Sequence, residues 1–140
     1  MSMPLALFVV AILNPADGPD PRAGDDGLSG SWRVESMVIR GQDRYNPALE
    51  MTWEFRGDSL VTSGKMPGAD RAVTTVLTFT SDAAKEPKAI DVTAGGKPLF
   101  KGIYKFEGGR LLVCYNQKDR PSEFVSDAMS KNVIFRFRKN

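Results

Sequence analysis

From Leu28 onward, apolar residues recur at every second position, and turn chemistry interrupts them about every 8–12 residues. That rhythm allows a chain to build strands with one buried face and little else. It predicts eight strands: Ser31–Arg40, Leu49–Arg56, Ser59–Ser63, Ala72–Thr80, Ala89–Thr93, Leu99–Glu107, Arg110–Asn116 and Asn132–Lys139. No segment carries an apolar period of 3.6. A short helical turn is expected only between Pro121 and Ser130, in the connection before the last strand.

Turn residues then set registers. Gly108-Gly109 reads as a two-residue hairpin loop, because glycine accepts the positive φ that a type I′ turn needs at both positions. The loop opposes Glu107 to Arg110 as a charge pair, Phe106 to Leu111, Tyr104 to Val113 and Gly102 to Tyr115. The inward face becomes Phe100, Gly102, Tyr104, Phe106, Leu111, Val113 and Tyr115, with Lys101 and Lys105 outside. Gly57-Asp58 likewise opposes Phe55 to Leu60 and Trp53 to Thr62. It puts Met51, Trp53 and Phe55 inside, and Glu54 and Arg56 outside. Between strands five and six a plain two-residue loop at Gly95-Gly96 opposes Asp91 to Phe100, a charge against a core ring. A bulge or a longer loop is required there.

The two ends of this region look matched. Gly30-Ser31-Trp32 enters the first strand and Phe135-Arg136-Phe137-Arg138 closes the last. In a small closed barrel an indole can fill the floor while a guanidinium stacks on it. Gly30, Trp32, Arg138 and, as alternate, Arg136 are therefore the expected base plug. The inward residues Trp53, Phe55, Phe79, Tyr104, Phe106 and Phe135, with Arg120 and Glu123 on the long connection, are the candidate ligand pocket. Eight strands enclose an interior just wide enough for side chains to fill, so the same rings can be plain core. The expectation is a mostly filled barrel with a small pocket near its open end, between Tyr104 and the Arg120–Phe124 connection. Arg120 and Glu123 can equally fix that connection by a salt bridge and backbone hydrogen bonds.

Chemistry is sparse. There is no histidine, which removes the commonest general base and metal ligand, and the lone Cys114 projects away from the assigned interior. No nucleophile elbow, P-loop, zinc or EF-hand spacing occurs, so no catalytic, cofactor-binding or metal-ligating residues are assigned and no enzyme is expected. A net charge of +2 does not call for nucleic acid. Residues 5–13 form an apolar run too short to span a bilayer but long enough for a signal-peptide core, although Met1–Pro4 holds no Lys or Arg. Residues 1–16 are read as a signal peptide, 17–27 as a flexible linker and 28–140 as the folded domain. The alternative is an apolar segment that packs on the domain.

Gly102-Ile103-Tyr104, then Gly108-Gly109-x-Leu111-x-Val113-Cys114, then Arg120-Pro121-Ser122-Glu123-Phe124, resemble the small lipocalin-like domains of planctomycete bacteria. Leu28-x-Gly30-x-Trp32 and Pro87-Lys88-Ala89-Ile90-Asp91 match as well, so the likeness covers about Leu28 to Arg138. It implies an eight-stranded antiparallel up-and-down barrel, with no activity attached. Two function classes follow. One is an exported, periplasmic or cell-surface binding module for a small apolar ligand. The other is an envelope module with a filled barrel that meets a protein or a polyanion through Lys101, Lys105, Lys131, Arg136, Arg138 and Lys139.

Overall fold

The computed structural model describes residues 27–66 and 68–140. The signal peptide expected at 1–16, and the linker up to residue 26, lie outside the described residues. The strands are β1 (Gly30–Ile39), β2 (Gln42–Asp43), β3 (Thr52–Arg56), β4 (Ser59–Lys65), β5 (Ala72–Asp82), β6 (Lys88–Ala94), β7 (Lys97–Glu107), β8 (Arg110–Asn116) and β9 (Val133–Lys139). All pairings are antiparallel. Neighbours run β1-β3-β4-β5-β6-β7-β8-β9, and β9 pairs back to β1, which closes an eight-stranded barrel; β2 is an extra strand at the end of β1. Every strand expected from the alternation is present. The two-residue β2 was missed because nothing so short carries a period.

Both hairpin registers match the expectation, with Phe106 opposite Leu111, Tyr104 opposite Val113, Phe55 opposite Leu60 and Trp53 opposite Thr62. The conflict at Gly95-Gly96 is resolved by a bulge. Ala94 faces Lys97 and Thr93 faces Pro98 around the tight loop, and the register then slips at Leu99 so that Val92 faces Phe100 and Asp91 faces Lys101. One extra residue thus returns both apolar side chains to the interior. A helical turn does occur, but at Pro47–Leu49, where Asn46 Oδ1 accepts the Ala48 N–H at 3.0 Å. Residues 121–130 form turns and bends only. Pro47 presets the φ of that turn, and so β3 begins at Thr52 rather than Leu49.

The floor closes around Trp32, and the cation that covers it is not the one expected. Trp32 is buried, its indole N–H donates to the Leu28 carbonyl at 2.8 Å, and Phe106 packs beside it at 6.0 Å. The cation over the indole is Lys139, with Nζ 4.4 Å from the ring centroid and a hydrogen bond to the Ser29 carbonyl at 2.7 Å. Arg138 and Arg136 do not perform this role. They alternate with buried Phe135 and Phe137 and therefore point outward, while Lys139 keeps the inward parity. Gly30 sits at φ 116°, and the Lys139 ammonium fills the space where a side chain would begin. Truncation should separate these roles in urea denaturation. Trp32→Ala is expected to cost about 3–5 kcal/mol and Lys139→Gln about 0.5–1 kcal/mol. Arg138→Gln should stay within about 0.5 kcal/mol of the parent.

Candidate functional site

The barrel fills from its floor upward. Phe55, Phe79 and Tyr104 are buried in the continuous core with Leu60, Ile90, Val92, Leu111, Val113 and Phe137. Phe55 and Phe79 meet edge to face at 5.0 Å. All three of these expected pocket residues are thus packed within the core. Phe106, also expected inside, is 41% exposed. It lies at the floor against Trp32 and Tyr104, at the opposite end from the opening.

A cavity lies at the open end. A cup of about 250 Å³ is lined by Met51, Trp53, Thr62, Leu77, Leu99, Phe100, Tyr115, Gln117 and Phe135. Four aromatic rings build its wall. Phe100 stacks on Tyr115 at 4.1 Å and 22°, and Trp53 stacks more loosely on Phe100 at 6.2 Å. Phe135 meets Trp53 and Tyr115 edge-on at 5.1 and 5.8 Å. Leu99 and its neighbour Phe100 both line the cup, which plain alternation forbids; the bulge at Leu99 permits it. Of the residues expected in the pocket, the structure therefore brings Trp53 and Phe135 together. Phe100 and Tyr115 belonged to the inward face read from the hairpin, but nothing in a linear pattern separates the mouth layer from the layers below it.

No lining residue is charged. Burial raises the Tyr115 phenol above its ordinary pKa, so its hydroxyl stays neutral. Thr62, Gln117 and the Tyr115 hydroxyl supply the polar atoms. At about 250 Å³ the cup exceeds the roughly 150 Å³ cavity that holds a benzene and falls short of most drug-sized pockets. It suits a ligand of one or two rings or a short chain, with one neutral polar end.

Arg120 and Glu123 lie elsewhere. Arg120 donates from Nη1 to the Gly102 carbonyl at 2.8 Å and places Nη2 2.7 Å from Asp91 Oδ1, pinning the connection between β8 and β9 against β6 and β7. Its partner is Asp91 and not Glu123, which is exposed. The expected Glu107–Arg110 charge pair is also replaced: Arg110 Nε binds Glu35 at 2.7 Å, and Glu107 takes Lys105 at 3.3 Å. The expected small pocket between Tyr104 and the connection is displaced accordingly, because the connection lies against the outer wall. It covers Cys114, whose thiol donates weakly to the Glu123 and Val125 carbonyls at 3.6 and 3.9 Å. Among the described residues, no three of His, Cys, Asp and Glu converge to hold a metal ion, and no helix is long and apolar enough to cross a membrane.

No family model matches the chain, and no curated protein is significantly similar to it.

Burial lifts the Cys114 thiol from its ordinary 9.0 to about 11. Between those values the unfolded chain releases a proton that the folded chain keeps, so stability falls as pH rises from 9 through 11. Denaturation across that range should show a steeper loss for the parent than for Cys114→Ala. At pH 8 a disulfide reagent should react roughly a hundredfold more slowly with the native protein than with the unfolded one, as about two units of pKa dictate.

Proposed function

We propose that this barrel is a lipocalin-like, non-enzymatic binding protein that holds a small apolar or amphipathic ligand in its open mouth and acts outside the cytoplasm. The carrying observation is the uncharged aromatic cup of Trp53, Phe100, Tyr115 and Phe135 above a filled interior. Stacked and edge-on rings offer flat apolar faces at low conformational cost, and two neutral hydroxyls and an amide orient one polar end. The proposal of export rests on the apolar run at residues 5–13 followed by a Pro-, Asp- and Gly-rich segment.

The two tryptophans provide the assay. Trp53 lines the cup and Trp32 sits at the floor, so Trp32→Phe leaves a reporter at the mouth. An anilinonaphthalene dye should change Trp53 fluorescence saturably and be displaced by octanoate. Leu99 is 38% exposed at the rim. Leu99→Glu should therefore cut dye affinity at least about tenfold, since a charge buried against the ligand without a partner costs more than 1.4 kcal/mol. Phe55→Ala should instead destabilise by about 3–5 kcal/mol with dye affinity retained. Absence of saturable binding, or binding indifferent to Leu99→Glu, would overturn the ligand reading in favour of a filled barrel that acts through its outer surface.

A further inference from the structure

The outer wall where β1, β9 and β8 meet is strongly cationic, and its charges are organised by register. Arg33 lies opposite Arg138, and Arg138 lies opposite Arg110, so three arginines form one row across three strands. Arg136 follows on the same face of β9, two residues from Arg138. Adjacent strands are about 4.8 Å apart, so the row spans roughly 10 Å and its long side chains can converge on one ligand. Like charges placed directly opposite one another oppose folding. Elsewhere on the surface some cations each have a carboxylate of their own, Arg56 with Glu54 and Lys65 with Glu50. Here a single carboxylate, Glu35, serves two arginines, and Arg33 and Arg138 have no ion-pair partner among the described residues.

The way Glu35 binds matters. One oxygen, Oε1, takes Arg110 Nε at 2.7 Å and Arg136 Nε at 3.6 Å. Both contacts use the inner nitrogen of the guanidinium. The shorter one, a hydrogen bond, orients the Arg110 fork, and both leave the terminal amino groups for another acceptor. Beside them, Arg33 and Arg138 border a groove of about 330 Å³ with Glu35, Tyr45 and Glu50. Both carboxylates of the groove are already engaged, by Arg110 and by Lys65.

We infer that this wall is a second binding site, remote from the mouth, for a compact oxyanion carrying several charges on phosphate groups. Guanidinium forks bind phosphate oxygens in pairs, and four arginines on one face, two of them sharing Glu35, suit an anion of charge two or more. A monovalent anion leaves most of the row unanswered. The site is independent of the aromatic cup, and either can fail without the other.

The probe is tripolyphosphate, titrated calorimetrically into the full chain at low ionic strength. Saturable binding is expected, accompanied by shifts in the Arg110 and Arg136 Nε–H resonances of the unsubstituted protein. Arg33→Gln with Arg138→Gln should weaken binding at least about tenfold while the melting temperature stays level or rises, because like-charge repulsion is relieved. Lys101→Gln with Lys118→Gln removes the same charge elsewhere and should change affinity less than about twofold. Sedimentation with vesicles of cardiolipin, whose headgroup carries two phosphates, in phosphatidylcholine separates the sources. Arginine-dependent pelleting that tripolyphosphate reverses assigns the phosphate to a lipid headgroup, and no pelleting assigns it to a free multivalent phosphate. Failure to bind either probe overturns the inference. So does equal loss in the arginine and lysine variants, or an Nε–H spectrum unmoved by the probe.

Discussion

The structure turns on one irregularity in β1. To close the barrel, β1 must pair with β3 on one side and with β9 on the other, and it does so with a register shift between Val34 and Ser36. Before the shift Trp32 and Val34 are buried inside; after it, Met37 packs against the core opposite Phe135. A strand that alternated strictly over this length would turn one half of its apolar side chains to solvent. The bulge changes parity once, keeps both halves inward and bends β1 around the closing sheet. Its extra residue, Glu35, is left outside, and there it gathers Arg110 and Arg136.

A second bulge works the same way at the opposite end. Leu99 absorbs the register slip between β6 and β7, which keeps Asp91 out of the core and brings Leu99 beside Phe100 at the mouth. Both candidate surfaces are therefore products of bulges: the arginine wall of the one in β1, the cup of the one in β7. Between them lies a core of interlocked rings in which Trp53 touches Phe55, Phe100, Phe135 and Phe137. Trp53 thus belongs both to the packed interior and to the wall of the cup.

The outer wall is not uniformly wet. The connection between β8 and β9 lies across β7 and β8, pinned by Arg120 to the Gly102 carbonyl and to Asp91. Asn116 and Ser126 reinforce it, reaching Asn132 at 3.1 Å and its carbonyl at 2.9 Å. Ile103 and Cys114 are consequently as buried as core residues although they face away from the barrel axis. This second, thinner layer explains the unreactive environment of the thiol and why a Cys on an outward position is not a surface Cys.

Period-two alternation and paired turn residues were sufficient to specify eight strands, two hairpin registers and the need for a bulge near Gly95-Gly96, because a strand's facing is local and a two-residue loop leaves one register. The same parity already pointed Arg136 and Arg138 outward, away from Trp32. Lys139, one residue further, was legible as the cation that could cover the indole. Tertiary structure alone decided which inward rings lie deep and which ring the mouth, since height along a barrel axis depends on stagger between distant strands. It alone also decided the partners of Arg110 and Arg120, which sit 75 and 29 residues from Glu35 and Asp91 in the chain. Charge pairing across such separations is set by closure of the barrel, and the amino-acid order carries no local sign of it.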